Sequence, residues 1–426
     1  MEEYQFLLSI AIILLSTKVL GLVSKKIKLP QVVGSLVAGL IIGPACLKIV
    51  PSTEFLSNIS ELGVIVLMFA AGLETDIKEL KKCGLASFII AMIGVIVPLV
   101  GGYLVFAPFN ESTADATKVF YENVFMGLIL TATSVSITVE TLKELGKLST
   151  RAGNAILGAA LIDDILGIIA LTLVTSLAPS DDPTVEKPVV GIVLLKILLF
   201  FVVAFVACFL FHKIFNDWTT KKGKDMRRFV ITSFVFCLAL SYIAEVGFGV
   251  ADITGAFFAG VAISGTKECS YVTNRFETLS YMLLSPIFFA SIGLKVELSS
   301  MSGKIILFTV LITIVALLTK VVGCGLGALA CKYSSKEALQ IGVGMISRGE
   351  VALIIANKGA AMGLIDTEKY FGPIVIMVVI TTVVTPILLK VVFKDKEDTH
   401  DGNMSQHFNK RIQYEKDIQN VSTEND

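Results

Sequence analysis

The sequence predicts an all-α membrane protein of about 13 transmembrane helices, with inverted-topology repeats and two interrupted, crossing helices. Three observations carry that prediction: an apolar composition, apolar runs long enough to cross a bilayer, and a small-residue pattern that recurs seven spans later. The 426 residues are 54% hydrophobic and 17% charged, with a mean hydropathy of +0.79. That balance lies far from a soluble domain and makes the lipid bilayer the expected surroundings. The 36 basic and 36 acidic residues cancel, so the total charge points to no nucleic acid partner, and no cofactor is expected. The seven cysteines are scattered through apolar runs without metal-ligand spacing and read as small hydrophobes.

The first run, about 4 to 22, opens on the acidic Met1-Glu2-Glu3 and lacks a small-residue cleavage site before Lys25. It therefore reads as a span and not as a signal peptide. Further runs follow at about 30–48, 55–73, 84–107, 124–142, 152–177 and 189–211. The remainder lie at about 229–246, 250–265, 276–294, 305–331, 338–362 and 370–393. Alternate connections, together with the segment after the last span, hold 22 Lys and Arg; the other connections hold 6. Since basic loops stay in the cytoplasm, the reading is a multi-pass protein of the cell membrane, N-terminus outside and C-terminus cytoplasmic.

Gly34, Ala38, Gly39 and Gly43 recur as Gly255, Ala259, Gly260 and Gly265, at offsets of 221, 221, 221 and 222. The next span agrees, with Phe69-Ala70 and Gly72-Leu73 recurring as Phe289-Ala290 and Gly293-Leu294. Small residues at helical spacing also serve ordinary close packing, but two consecutive spans share this offset. Because seven spans is an odd number, the second copy must be inverted, which is the plan of secondary transporters with a midplane site between copies. The expected organisation is a transmembrane domain over 1–393, with repeat one at about 4–177, a connector helix at about 189–211 and repeat two at about 229–393. The polar segment 394–426 is expected to be a disordered cytoplasmic tail.

Asp163 and Asp164 lie in the middle of the apolar run 152–177. Ionisable groups at that depth cost roughly 2.5 kcal/mol or more each on insertion scales and normally face a bundle interior or an aqueous path. The competing reading, that the aspartates cap a helix beginning there, conflicts with the unbroken helical pattern of Asn154–Ile162. Lys320, central in the run 305–331, is too far from either end to snorkel; a midplane ammonium needs a counter-charge, and Asp163 is the expected partner. The repeat pairs the run 124–142, with Thr131, Thr133, Ser134 and Ser136 at its centre, with the run 338–362, which carries Ser347-Arg348-Gly349-Glu350. Interrupted helices at corresponding positions can offer carbonyls and half-helix ends to an ion. Two alternatives stay open: Ser136 and Thr138 could bond back to their own helix, and Arg348 and Glu350 could form a structural ion pair. Glu74, Glu140, Glu245 and Asp252 fall near span ends and read as solvated.

These residues carry a family resemblance. Over about 5–393 the chain resembles the bacterial cation/proton antiporter superfamily, in the branch of sodium/proton antiporters with paired aspartates. Its marks are G-L-E-T-D at 72–76, T-A-T-S-V at 131–135, I-D-D at 162–164, K-V-V-G-C at 320–324 and S-R-G-E-V-A-L at 347–353. The resemblance implies a homodimer in which a six-helix core moves against a dimerisation domain. It also implies that Asp164 carries ion and proton, that Asp163 partners Lys320, and that the interrupted helices cross beside them. Electroneutral members have Asn at the first aspartate, so Asp163 places the chain with the electrogenic ones.

The expected activity is exchange of Na+ or Li+ for H+ by alternating access, because proton and cation compete for the same carboxylate oxygens. Asp164 and Asp163 would hold the transported Na+, supported by Lys320, Thr133, Ser134, Arg348 and Glu350. The nearest alternative is K+/H+ or mixed Na+/K+ exchange by the same fold. An aspartyl protease is disfavoured because consecutive residues on one helix point about 100° apart, whereas its two aspartates must face each other.

Overall fold

The computed structural model describes residues 4–75, 77–112, 115–179, 189–219, 226–266, 268–295 and 303–394. Asp76, the tail 395–426, and Lys187, Lys221, Lys222, Lys224, Lys267 and Lys396 of the charge count lie outside the described residues. By contacts the chain divides into a unit Met1–Val392 and the short remainder Phe393–Asp426.

The apolar runs become helices. In chain order they are α1 (Gln5–Lys26), α2 (Gln31–Ile42), α3 (Glu54–Leu73), α4 (Ile77–Phe106), α5 (Ala116–Ile129), α6 (Val135–Glu144), α7 (Arg151–Leu177) and α8 (Val190–Thr219). Then come α9 (Met226–Tyr242), α10 (Asp252–Ser264), α11 (Cys269–Leu279), α12 (Ser285–Leu294), α13 (Gly303–Ala330), α14 (Ser335–Gly344), α15 (Glu350–Ala361) and α16 (Thr367–Val392). Wider π-helical turns extend α9 over Ile243–Phe248 and join α11 to α12 over Ser280–Leu284. Among the described residues, nine helices are long and apolar enough to cross a membrane, against the 13 spans expected. The other four expected runs are the short α2 and α10 and the two broken pairs α5–α6 and α14–α15. At about 1.5 Å per residue, 12 or 13 helical residues reach only about 20 Å, so length alone does not make α2 and α10 crossings.

Local chemistry sets several starts. The hydroxyl of Thr150 accepts from Gly153 N at 3.1 Å and caps α7, so the helix begins 12 residues before Asp163 and the aspartates are not caps. Ser334 and Glu337 form a reciprocal capping box at the start of α14.

The helices gather into two bundles. One holds α1, α2, α3, α9, α10, α11 and α12, with α8 packed along α10; the other holds α4 to α7 and α13 to α16. Across the interface, α2 meets α6 and α16, and α3 meets α6. In the first bundle the sequence repeat appears as paired contacts. A Cβ on Gly39 would fall 2.0 Å from the Ala290 carbonyl oxygen, and one on Gly260 would fall 2.3 Å from that of Phe69. Thus α2 of the first copy lies on α12 of the second, and α10 of the second lies on α3 of the first. In the other bundle the paired contacts fall within each half of the chain: a Cβ on Gly127 in α5 would fall 2.2 Å from the carbonyl oxygen of Leu99 in α4, and one on Gly342 in α14 would fall 2.6 Å from that of Val321 in α13.

Candidate functional site

Two long helices deliver the buried charges. Both α7 and α13 pack against α4, and from its flanks Lys320 Nζ donates to Asp163 Oδ1 at 2.8 Å. The side chains are 0% and 1% exposed respectively. Each charge would be strongly unfavourable alone at this depth, and the pair neutralises both. Asp164 is buried as well, one residue on and about 100° round α7, so the two carboxylates serve different neighbours.

The second component is a crossing of two chain breaks. Between α5 and α6, residues 130–134 leave the helix; between α14 and α15, residues 345–349 do the same. The breaks bind one another: Ser134 N donates to the Ser347 carbonyl at 2.8 Å, and Ser347 Oγ donates to the Ser134 carbonyl at 2.8 Å. Thr138 Oγ1 donates to the carbonyl of Gly344 at 2.7 Å, satisfying the end of α14, and lies 3.1 Å from Ser347 Oγ. Thr138 therefore bonds the opposite break, not its own helix. A Cβ on Gly349 would fall 2.9 Å from both Cβ and Oγ of Ser134, so the breaks cross this closely only because residue 349 has no side chain.

Arg348 is fully buried, and its guanidinium turns back on carbonyls just beyond the C-terminus of α14 and on one of α13. Nη1 donates to Ile346 O at 2.6 Å and Met345 O at 3.3 Å, and Nη2 to Ala316 O at 3.1 Å. A cation at a helix C-terminus offsets the partial negative charge of its unpaired carbonyls. The buried Nε has no hydrogen-bond partner among the described residues, and the side chain of Glu350 lies outside them. Thr133 Oγ1, buried at the break, has no hydrogen-bond partner among the described residues.

The structure thus pairs Asp163 with Lys320, buries Asp164 and Arg348, and locks Ser134 to the opposite break through Ser347. Ser347 and Thr138 stand in the sequence reading without these roles, and Thr382, whose hydroxyl donates to the Arg348 carbonyl at 2.6 Å, does not stand there at all. A hydroxyl in an apolar helix carries no sequence mark distinguishing such a role from bonding to its own backbone. Glu74 also differs from expectation: it is half-buried and 2.8 Å from Lys143 Nζ, because the end of α3 abuts α6. A cavity of about 20 Å³ separates the bundles beside Ser134 and Gly349, with Ser291 and Lys295 on its α12 side. That is room for about one water. Among the described residues no group of three His, Cys, Asp or Glu is placed to hold a metal, and all seven cysteines are free.

The profile of the family described as sodium/hydrogen exchanger, transmembrane, matches residues 10–395. The chain belongs to the sodium/hydrogen exchanger family. It is 40% identical to the Na(+)/H(+)-K(+) antiporter GerN of Bacillus cereus, over 93% of this chain and 98% of GerN. It is 38% identical to the Na(+)/H(+) antiporter of Enterococcus hirae, over 91% and 97% of the two chains. Among solved structures, the sodium proton antiporter MjNhaP1 of Methanocaldococcus jannaschii superposes with a TM-score of 0.66 at 17% identity, covering 92% of this chain and 97% of that one. This last likeness shows that the exchanger fold is shared.

Proposed function

We propose that this exchanger moves Na+ or Li+ against H+ across the cell membrane, as a carrier and not an enzyme, with Asp164 as the group that protons and cations occupy in turn. The observation that carries the reading is the division of labour on α7, where Asp163 is committed to Lys320 at 2.8 Å and Asp164 is buried beside it. A small hard cation suits a carboxylate supplemented by hydroxyl and carbonyl oxygens, and Thr133 and the Ser134 break, between two helices that pack against α7, offer such groups. Proton release from Asp164 admits the cation at one face, the bundle carrying the site shifts against the other, and reprotonation expels the ion at the opposite face.

If the Lys320–Asp163 bond opens in the loaded state and Lys320 gives up its proton, two protons exchange for one Na+. One net charge then crosses per cycle, coupling transport to voltage at about 2.3 kcal/mol per 100 mV. The bundle of α1–α3 and α8–α12 presents wide apolar faces, on α8 above all, which suits the homodimer that the family resemblance implies. The loop charges favour an N-terminus outside and a C-terminus in the cytoplasm. Potassium is the second cation to consider, because GerN carries it in its name. Proton movement in sealed liposomes under imposed Na+, Li+ or K+ gradients, at zero and at fixed membrane potential, tests the reading. Voltage-sensitive exchange with Na+ and Li+ that vanishes in Asp164→Asn is expected; exchange with K+ alone, or no response to voltage, would contradict it.

A further inference from the structure

The interface between the bundles is fastened by charge at one end. Lys143, in the last turn of α6, lies 2.8 Å from Glu74 at the end of α3 and 3.3 Å from Glu277 on α11. Helix α6 belongs to one bundle, and α3 and α11 to the other. One residue further on, Glu144 accepts from Gln31 N with both carboxylate oxygens, at 2.7 and 2.9 Å. Gln31 opens α2, whose N-cap is Pro30 without a side-chain cap. A carboxylate from the opposite bundle therefore caps that helix, where its charge also meets the positive end of the helix dipole. The side chains of Lys143, Glu74 and Glu277 are 22%, 26% and 33% exposed, a rim partly withdrawn from water.

The other end of the same interface is different in kind. The span that begins near Glu277 finishes at Lys295, and there Phe288, Ser291, Ile292 and Lys295 line the cavity beside Ser134 and Gly349. One end is tied by ionic and capping bonds, and the other encloses space next to the crossing.

We propose that Lys143 and Glu144 form a latch that closes the Glu277 end of the interface and must release before the site opens at that end. The inference rests on the alternating-access reading above. Exposed and half-exposed ion pairs are each worth a factor of about two to five in an equilibrium, enough to bias two arrangements of near-equal energy without locking either. Glu140, half-buried on α6 one turn before Lys143, lies within electrostatic reach of Lys143, Glu144, Glu74 and Glu277.

Hydrogen exchange on the full chain in lipid nanodiscs tests this, with Lys143→Gln and Glu277→Gln compared with Lys143→Arg. Expected for both neutral variants is exchange about two- to fivefold faster in residues 139–146 and 269–279, with slower exchange in residues 288–295 as the opposite end closes. Lys143→Arg should follow the unmodified protein. No change at 139–146 and 269–279, a rise there without the fall at 288–295, or an arginine variant that behaves as the glutamine one would overturn the latch. Exchange is read without ion flux, so a protein that failed to transport would count against the proposed function and leave this test standing.

Discussion

Lys320 and Asp163 meet at 2.8 Å in the interior of one bundle, contributed by two helices that both lean on α4. Breaking such a pair from one side leaves a buried charge without its partner, at about 3–5 kcal/mol. Lys320→Met should therefore lower the thermal midpoint sharply, and Asp163→Asn in the same chain should recover most of the loss. Recovery of stability with voltage-independent exchange would assign the pair's proton to transport. Recovery with voltage dependence intact would make the pair a structural element only.

The crossing makes a sharper prediction, because a single Cβ decides it. In Gly349→Ala the new methyl would fall 2.9 Å from both Cβ and Oγ of Ser134. The hydroxyl can rotate away and the Cβ cannot, so the breaks must separate. A displacement of this size near reacting groups lowers turnover on the order of tenfold to a hundredfold. Ser134→Gly added to Gly349→Ala removes the clash and should restore part of the flux, measured in liposomes. No recovery would show that the Ser134 hydroxyl is itself required.

Much of this site is legible in the sequence. Lys320 was the mid-span ammonium and Asp163 the expected counter-charge, so electrostatics in a low-dielectric medium left few partners. The repeated Gly39 and Gly260 announced close helix packing, since a small residue at fixed offset records where backbones touch. Other features were hidden for physical reasons. Lys143, Glu74 and Glu277 each sit near an end of their own helix, where solvation is the default, and nothing local tells which other helix end lies opposite. Arg348 reaches carbonyls of its own break and of α13, contacts that no local sequence signal announces. Thr138 and Thr382 bond across elements through hydroxyls that look the same in sequence as those bonding within a helix.

The repeat can be tested through its paired glycines. Gly39→Ala and Gly260→Ala would each drive a methyl into a carbonyl oxygen, of Ala290 and Phe69 respectively. Overpacking of this kind costs about 1–3 kcal/mol. The two variants should lose similar amounts of thermal stability in detergent. A loss confined to one would mean that the two copies are packed unequally.

Glu111, in the loop between α4 and α5, bonds Lys304 at the start of α13 and lies 3.5 Å from Lys369 in α16. Hydrogen bonding and charge from Lys304, then Lys369, hold its carboxyl below the usual carboxylate range. A carboxylate lowered on folding contributes stability above its unfolded pKa and loses that contribution as pH falls through the folded one. Glu111→Gln should therefore lower the thermal midpoint slightly at neutral pH, the difference fading below about pH 4. A difference that persists at low pH would place the effect in packing instead.

The central claim is that proton and cation compete for Asp164. Calorimetric titration of the purified protein with Na+ and Li+ across a pH series measures that competition directly. The account predicts an apparent affinity that falls as pH is lowered, approaching about tenfold per pH unit for each proton displaced, and no binding in Asp164→Asn. Affinity indifferent to pH, or binding that survives in Asp164→Asn, would contradict it.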